Sequence, residues 1–475
     1  MAALHDTWRA LWVSRLLVWI AGVGTVATLG FGPTRGAFDP PGITRGFGWL
    51  GNMLAAPAAR WDSVWYLVIA RYGYRPDLGA YTSARDAFFP LYPLGLRGLS
   101  DLGIPPVLAG VLFSLVALAA ALYGIHRLCV LELSPSPGGR TARWMPDLDP
   151  GTVARLAVLV MALAPMAFYF SAVYSESLYL ALSVGLFWCA RQGRWAWVGV
   201  LGALATATRS TGIVLLVPAL LLYLYGPRED MLREDMPRED RIPDVALGGR
   251  GGSGKTGGPD EVGGRGRPGG AGEYDWRGWF SRLRPRYRLR ANALWLALVP
   301  AGMGVYMAYL GLQGGDPMAP LSSQNAWGRH FAGPFVGVWD GARAAFAGVR
   351  QLLAAGGAHV YFPAATGSPA IAAGHNLMLF AFLLAAIPLL VVALRALPLA
   401  YGAYVLAALV LPLSYPVASQ PLMSLSRFLL VLFPLGMALA VWLAAHPRIR
   451  LPVLVGSAVL MMFFTAQFAT WHWVA

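Results

Sequence analysis

The chain has 475 residues, of which 57% are hydrophobic and only 13% charged, and its mean hydropathy is +0.54. Since a soluble protein carries about 25% charged residues, this composition excludes an ordinary soluble globular protein. The net charge of +14 comes almost entirely from arginines between apolar runs, which fits membrane topology and anionic lipid headgroups better than a nucleic-acid partner. We therefore predict an all-α polytopic membrane protein.

Apolar runs long enough to cross a hydrocarbon core as helices recur along the whole chain. We predict about eleven transmembrane helices, the first of them an uncleaved helix rather than a signal peptide. The predicted spans are residues 11–31, 105–126, 152–171, 174–190, 195–208, 211–225, 291–313, 371–394, 398–416, 427–445 and 451–472.

Arginines in the short loops alternate consistently onto one side of the membrane, which the positive-inside rule makes cytoplasmic. They are Arg9, Arg15, Arg127, Arg140, Arg143, Arg191, Arg194, Arg395, Arg448 and Arg450. This orientation predicts an N-terminal transmembrane module, 1–225, with a large external loop, 32–104. It also predicts a cytoplasmic loop, 226–290, and a C-terminal transmembrane module, 291–475, with a second external loop, 314–370. Both cysteines, Cys129 and Cys189, fall at cytoplasmic helix ends, where we expect free thiols.

The cytoplasmic loop is compositionally biased. Residues 227–272 contain Arg-Glu-Asp repeats and then many glycines, a composition that predicts disorder. Residues 274–290 combine aromatics with arginines, as in a segment lying on the inner leaflet. Gly249–Thr256 matches the P-loop pattern, but the surrounding sequence predicts neither the strand nor the helix that a nucleotide site needs. Asp147 and Asp149 resemble a metal-binding Asp-x-Asp pair, although helix capping is the stronger interpretation.

The first external loop carries the most informative acid. From Trp61 onward, Trp61, Trp65, Ile69 and Tyr72 share one helical face, which predicts a short helix along the membrane surface. Asp62 stands at its start. Two compatible interpretations follow: a catalytic carboxylate, or an N-cap of that helix.

Other polar residues of the external side have two interpretations each. Asp86 either binds an acceptor sugar or pairs with Arg85 or Arg71. Glu176 is either a functional acid at the membrane boundary or a residue favoured in the first turn of a helix.

Arginines at the external ends of the spans are candidates for binding a phosphate. Arg209 and Arg427 either bind it through the guanidinium fork or extend toward lipid headgroups. Arg329 and His330 are further candidates in the second external loop.

Taken together, four segments resemble the PIG-V-type mannosyltransferases. They are Trp61–Tyr74, Ala87-Phe-Phe-Pro-Leu-Tyr-Pro93, Ser171-Ala-Val-Tyr-Ser-Glu-Ser177 and Ala207-Thr-Arg-Ser-Thr-Gly212. The resemblance returns at Ser424-Leu-Ser-Arg-Phe428. It implies a GT-C-type glycosyltransferase fold, a catalytic acid in the first external loop and a polyprenyl-phosphate-mannose donor. The arginine-rich composition is typical of a prokaryotic relative, which argues against a GPI acceptor.

By position, the resemblance makes Asp62 the catalytic acid, and we predict that it acts as the general base of an inverting transfer. We expect no cofactor and no metal. The expected partners are the lipid-linked donor, a glycan or glycolipid acceptor and membrane lipids, at an active site on the extracytoplasmic side of the plasma membrane. The alternatives are a GT-C enzyme using another lipid-linked sugar, a lipid-sugar flippase or transporter, and a scaffold. The predicted substrate-binding residues are Trp61, Trp65, Tyr66, Arg71, Asp86, Tyr92, Tyr174, Glu176, Arg209 and Arg427.

Overall fold

A computed structural model describes residues 1–30, 42–45, 47–74, 85–134, 148–230, 285–354 and 369–474. Several sequence predictions lie outside these residues. They are the predicted disordered segment 227–272 from residue 231 onward, the predicted amphipathic segment 274–290 up to residue 284, the P-loop-like Gly249–Thr256, and Asp147.

The described residues form helices joined by short connections. The α-helices of the first half are α1 Ala2–Leu29, α2 Gly48–Leu54, α3 Ser63–Tyr72, α4 Leu91–Asp101, α5 Pro106–Leu133, α6 Pro150–Ala162, α7 Glu176–Arg191, α8 Trp195–Thr206 and α9 Leu216–Tyr225. Those of the second half are α10 Ala301–Leu312, α11 Ala319–Ser322, α12 Pro334–Leu353, α13 Pro369–Ala396, α14 Leu399–Ser414, α15 Leu425–Leu430, α16 Phe433–Ala445 and α17 Pro447–Ala469. Short 3₁₀ segments occupy Ala56–Ala58, Ala167–Phe170, Ser210–Leu215, Ala291–Leu298 and Ser323–Trp327.

In the described part of the chain, four helices are long and apolar enough to cross a membrane: α1, α5, α13 and α17. The segment Ala291–Leu298 and α10, bent by 45°, count together as a fifth. The chain is thus a helical membrane protein, but the count of eleven spans is not confirmed. Every predicted span coincides with helix, yet several are shorter or interrupted.

Prolines account for two of these interruptions. The span predicted at 152–171 stops being α-helical at Ala162 and resumes as a 3₁₀ segment two residues after Pro165. The span predicted at 427–445 breaks between α15 and α16, just before Pro434. Proline lacks the amide donor and clashes with the preceding turn. The breaks expose backbone carbonyls that other side chains must satisfy.

Arg15 satisfies the free carbonyl oxygens at the first break, and this role differs from the sequence prediction. The sequence pattern places it among the cytoplasmic loop arginines, but the helix begins at Ala2, so Arg15 lies well inside α1 and is buried. Its guanidinium donates to the carbonyl oxygens of Ala162 and Ala167, at 3.0 and 2.8 Å, and to the Ser171 hydroxyl at 2.9 Å. Arg15 therefore holds the broken helix rather than marking a membrane side.

Helix α12 lies within the stretch that we predicted as the second external loop. Its protein-facing side is built from small residues, among them Gly337, Gly341 and Ala344, and packs against α13 and α14. Its large residues, including Phe335, Trp339 and Phe346, are exposed. Small residues that let helix backbones approach closely are typical of helix contacts in membranes.

Helix α8 packs closely against the bent segment formed by Ala291–Leu298 and α10. A Cβ on Gly302 would lie 1.8 Å from the Ala203 carbonyl oxygen, so only glycine fits there. The Thr206 hydroxyl donates to the carbonyl oxygen of Val299 at 2.7 Å. This contact places Thr208 and Arg209, which follow α8, beside Met303 of α10 at the wall of one cavity.

Asp149 caps α6, as the sequence indicates. Its carboxylate accepts from the backbone amides of Gly151 and Thr152, at 3.3 and 2.8 Å, and from the Thr152 hydroxyl at 2.7 Å. The described Cys129 and Cys189 are free thiols, as predicted.

We expect Asp149→Ala to lower the free energy of unfolding by about 1 kcal/mol, the usual cost of losing a helix cap, with sugar transfer unchanged. The hydrogen bonds from Thr152 and Gly151 lower the pKa of Asp149 below its ordinary value. The cap's stabilisation is therefore present above the unfolded-state pKa and is lost as the pH falls through the folded-state pKa. Thermal unfolding of both proteins across acidic pH measures this. A loss of transfer activity in Asp149→Ala would restore the metal-binding interpretation.

Candidate active site

Asp62 stands at the start of α3, but its side chain does not cap the helix. Asp62 occupies the N-cap position without a side-chain bond to the backbone of the first turn. Its Oδ2 instead accepts from NH1 of Arg427 at 2.7 Å. No described residue donates to Oδ1, and the side chain keeps 19% of its surface exposed, toward a cavity. The capping interpretation of the Asp62 side chain is therefore wrong.

Two tyrosines fix the backbone around Asp62. The Tyr174 hydroxyl accepts from the Asp62 amide and donates to the Arg60 carbonyl oxygen, both at 3.0 Å. One turn into α3, the Tyr66 hydroxyl bonds to Ser175 Oγ at 2.8 Å. The segment before α7 therefore positions the start of α3.

Glu176, the first residue of α7, joins the two predicted arginines. Its Oε1 lies 2.8 Å from NH1 of Arg209 and 2.8 Å from NH2 of Arg427, and it also accepts from Arg427 Nε at 3.1 Å. The Glu176 side chain is 0% exposed. A fully buried carboxylate needs such partners, because burying an unpaired charge is costly.

These charges border a cavity of about 330 Å³. Asp62, Arg209, Arg329 and Arg427 supply its charged wall. Its apolar wall includes Phe88, Phe89, Ile213, Met303, Leu321, Trp327, Leu411, Pro412, Met423, Phe428 and Trp473. Hydroxyl and amide groups come from Tyr66, Thr208, Ser210, Thr211, Gln324, Tyr415 and Ser424. A largely apolar cavity with a few converging charged groups is the usual form of a small-molecule site.

Arg329 is the third arginine of the cavity. It is 8% exposed and donates to the carbonyl oxygens of Tyr415 and Met423, at 3.2 and 3.0 Å. Its guanidinium carbon lies 5.9 Å from the centroid of the Phe428 ring, and that of Arg209 lies 5.6 Å from the same centroid. Burial, and secondarily the charge of Arg427, lower the pKa of Arg329 to about 10, so it is cationic at neutral pH.

Of the predicted site residues, Asp62, Tyr66, Arg209 and Arg427 line the cavity, and Tyr174 and Glu176 support it from behind. The remaining predicted residues lie elsewhere. Tyr92 is fully buried and bonds to Ser114 Oγ at 2.8 Å. Trp65 stacks on Phe88, and Arg71 is exposed over the ring of Tyr72.

Asp86 also lies off the cavity wall. Among the described residues it forms no ion pair with either Arg85 or Arg71, and burial raises the pKa of its carboxyl. Its backbone carbonyl oxygen accepts from the Tyr306 hydroxyl at 3.0 Å. The predicted aromatic face of α3 is also only partly buried, since Tyr72 is exposed.

Sequence reasoning missed the contribution of residues 471–474. Trp473 lines the cavity and meets Trp61 edge to face, with ring centroids 5.1 Å apart. Trp471 also contacts Trp61, with ring centroids 5.9 Å apart, and its ring lies 5.2 Å from the guanidinium carbon of Arg60, which donates to the Ala469 carbonyl oxygen at 2.9 Å. This segment holds the turn that carries Asp62.

Backbone strain is concentrated around the same residues. In the described part of the chain, the non-glycine residues with positive φ are Trp61 at 54°, Ser424 at 66° and Trp471 at 66°. Trp61 immediately precedes Asp62, and Ser424 lies one turn before Arg427. Trp471 contacts Arg60. Strained backbone of this kind persists where the surroundings impose it, and it is concentrated at functional sites. The described residues contain no group of three or more His, Cys, Asp or Glu side chains arranged to hold a metal ion.

The fold and the site together define a helical membrane protein with an acid–arginine cluster at the wall of a cavity. Residues 47–219 match the model of the mannosyltransferase (PIG-V) family. The match confirms, over these residues, the resemblance to the PIG-V-type mannosyltransferases found in the sequence. The matched residues include Asp62, Glu176 and Arg209, whereas Arg329, Arg427 and Trp473 lie beyond them. The comparison with curated proteins gives no match, and neither does the comparison with solved structures.

Proposed function

We propose that this protein is an inverting mannosyltransferase of the GT-C type. It moves mannose from polyprenyl-phosphate mannose to a hydroxyl of a glycan or glycolipid on the extracytoplasmic side of the plasma membrane. The observation that carries the proposal is the position of Asp62. Its carboxylate faces the cavity through an unengaged Oδ1 while Arg427 orients Oδ2, and Asp62 lies in the part of the chain that matches the family.

In this mechanism, the acceptor hydroxyl oxygen attacks the anomeric carbon as its proton passes to Asp62 Oδ1. The bond between the anomeric carbon and the phosphate oxygen breaks, and its electron pair leaves with the lipid phosphate. Since attack comes from the face opposite the leaving group, the anomeric configuration inverts. The transition state resembles an oxocarbenium ion, as in inverting glycosidases.

Two competing functions share parts of this site. A flippase would also use buried charges near broken helices, and another GT-C enzyme would use the same base with a different sugar. The family match favours mannose transfer over both.

Sugar transfer by the purified protein in liposomes tests the proposal. Polyprenyl-phosphate mannose, glucose and arabinose are offered separately, each radiolabelled, with a membrane extract as the acceptor source. We expect label to move from the mannose donor alone into a new product with inverted anomeric configuration. Transfer from glucose or arabinose instead would assign a different sugar. Donor that changes leaflet without transfer would replace the proposal by the flippase function.

We expect Trp473→Ala to lower the rate of transfer by about a hundredfold, since a displacement of about 1 Å at a reacting group has an effect of that size. Trp473 packs against Trp61, which immediately precedes Asp62. The measurement is the initial rate at saturating donor. Trp339→Ala, which removes an exposed ring of α12, is the matched control and keeps the wild-type rate. Equal rates in the two variants would show that residues 471–474 do not position the base.

A further inference from the structure

The three cavity arginines differ in how their charge is compensated. Arg209 and Arg427 share Glu176, and Arg427 also holds Asp62. Two cations and two anions therefore cancel within this cluster. Both guanidinium groups neutralise carboxylates, and that of Arg427 also donates to Asp62 and Glu176.

Arg329 has no such partner among the described residues. Its described hydrogen bonds go to the backbone carbonyl oxygens of Tyr415 and Met423, and no described carboxylate lies within ion-pair distance of it. A guanidinium carries five N–H donors, so these two bonds leave donors over for a ligand. Even with the charge of Glu176 behind the wall included, the described charged groups at the cavity therefore comprise three cations and two anions.

Such an excess charge predicts the chemistry of the ligand. Keeping a cation buried without a counter-charge costs free energy, and an anionic ligand group offsets that cost. Guanidinium is suited to phosphate oxygens because its planar donors match them in pairs. The neighbouring apolar residues Leu411, Pro412 and Met423 suit the lipid chain attached to that phosphate.

We propose that Arg329, rather than Arg209 or Arg427, binds the phosphate of the lipid-linked sugar. This assignment rests on the proposed function. As the sugar leaves, the bridging phosphodiester, with one negative charge, becomes a phosphomonoester that gains a second. A fixed cation at this position stabilises the departing phosphate more than it stabilises the bound donor.

Direct binding to the purified protein tests this assignment. The probes are polyprenyl phosphate, the uncharged polyprenol and phosphatidylglycerol, and the proteins are wild type, Arg329→Gln, Arg329→Lys and Arg343→Gln. Arg343 lies on α12 outside the cavity, with an exposed side chain that pairs with Asp340, so it is the matched control. Arg329→Lys keeps a cation if Arg329→Gln fails to fold.

We expect the wild type to bind polyprenyl phosphate about tenfold to a hundredfold more tightly than polyprenol, the range for a hydrogen bond to a charged group. Arg329→Gln should lose this preference, Arg329→Lys should keep part of it, and Arg343→Gln should keep all of it. A preference that is absent in wild type, or that survives in Arg329→Gln, overturns the assignment. Equal binding of phosphatidylglycerol overturns it as well, because the site would then hold any lipid phosphate.

Sugar transfer by the same proteins separates the two proposals. Transfer by wild type, with an unchanged donor KM and kcat in Arg329→Gln, would overturn the Arg329 assignment and leave the proposed function intact. A phosphate preference that depends on Arg329, in a wild-type protein that transfers no sugar, would keep the subsite and overturn the proposed function.

Discussion

Replacing Glu176 by Gln is expected to destabilise the protein by about 3–5 kcal/mol, the usual cost of removing one partner of a buried ion pair. Glu176 is fully buried and bridges Arg209 to Arg427. Without its charge, two cations face each other across the cavity wall with only Asp62 to offset them. The amide oxygen of the glutamine can still accept from Arg427, but the pair loses its negative charge and Arg427 is held less firmly, so we also expect sugar transfer to fall.

A double-mutant cycle with Arg209→Gln measures this coupling. Thermal or denaturant unfolding in detergent is followed for the wild type, each single variant and the double variant. Because removing Arg209 relieves the unpaired charge, the double variant should be less destabilised than the sum of the single variants. Strict additivity, or a wild-type melting temperature for Glu176→Gln, would contradict the ion-pair account.

Asp62→Asn is expected to lower kcat by about a hundredfold to ten-thousandfold, the range for a general base. The amide is nearly isosteric with the carboxylate but accepts the acceptor's proton far less readily. Because Asp62 does not bind the donor in this account, the donor KM should change little. Stability should fall less than in Glu176→Gln, since Asp62 is partly exposed and Arg427 retains Glu176.

Asp101→Asn is the matched control for this variant. Asp101 ends α4 in the first large loop and has an exposed side chain that faces Arg97. Its rate should equal that of the wild type. A fall in both variants would point to a general effect of charge on the loop, and a rise in donor KM with unchanged kcat in Asp62→Asn would make Asp62 a binding residue.

The residues of the charged cluster could be named from the sequence, but their pairing could not. Asp62, Glu176, Arg209 and Arg427 each stand out because a charge beside an apolar span is costly and rare. Which charges neutralise one another depends on the packing of α3, α7 and α15, which the sequence pattern does not show. The sequence offers Arg329 only as a further phosphate-binding candidate in the second external loop, and its uncompensated charge is visible only in three dimensions.

The sequence pattern predicts neither helix α12 nor the contact of Trp473 with Trp61, for different physical reasons. In α12 the small residues face the protein and the aromatic residues face outward, so the apolar periodicity that marks a core-facing helix is inverted. Trp473 follows an apolar run and has no local feature that links it to Asp62. Its role comes from its contact with Trp61, far away in the sequence.

The most direct test of the account measures donor binding and mannose transfer on the same preparations of wild type and Asp62→Asn. Binding is measured with polyprenyl phosphate, and transfer with radiolabelled polyprenyl-phosphate mannose under single-turnover conditions. We expect equal binding in the two proteins, and mannose transfer that is at least about a hundredfold slower in Asp62→Asn than in the wild type. Transfer by Asp62→Asn at the wild-type rate would contradict the assignment of Asp62 as the base of this cavity.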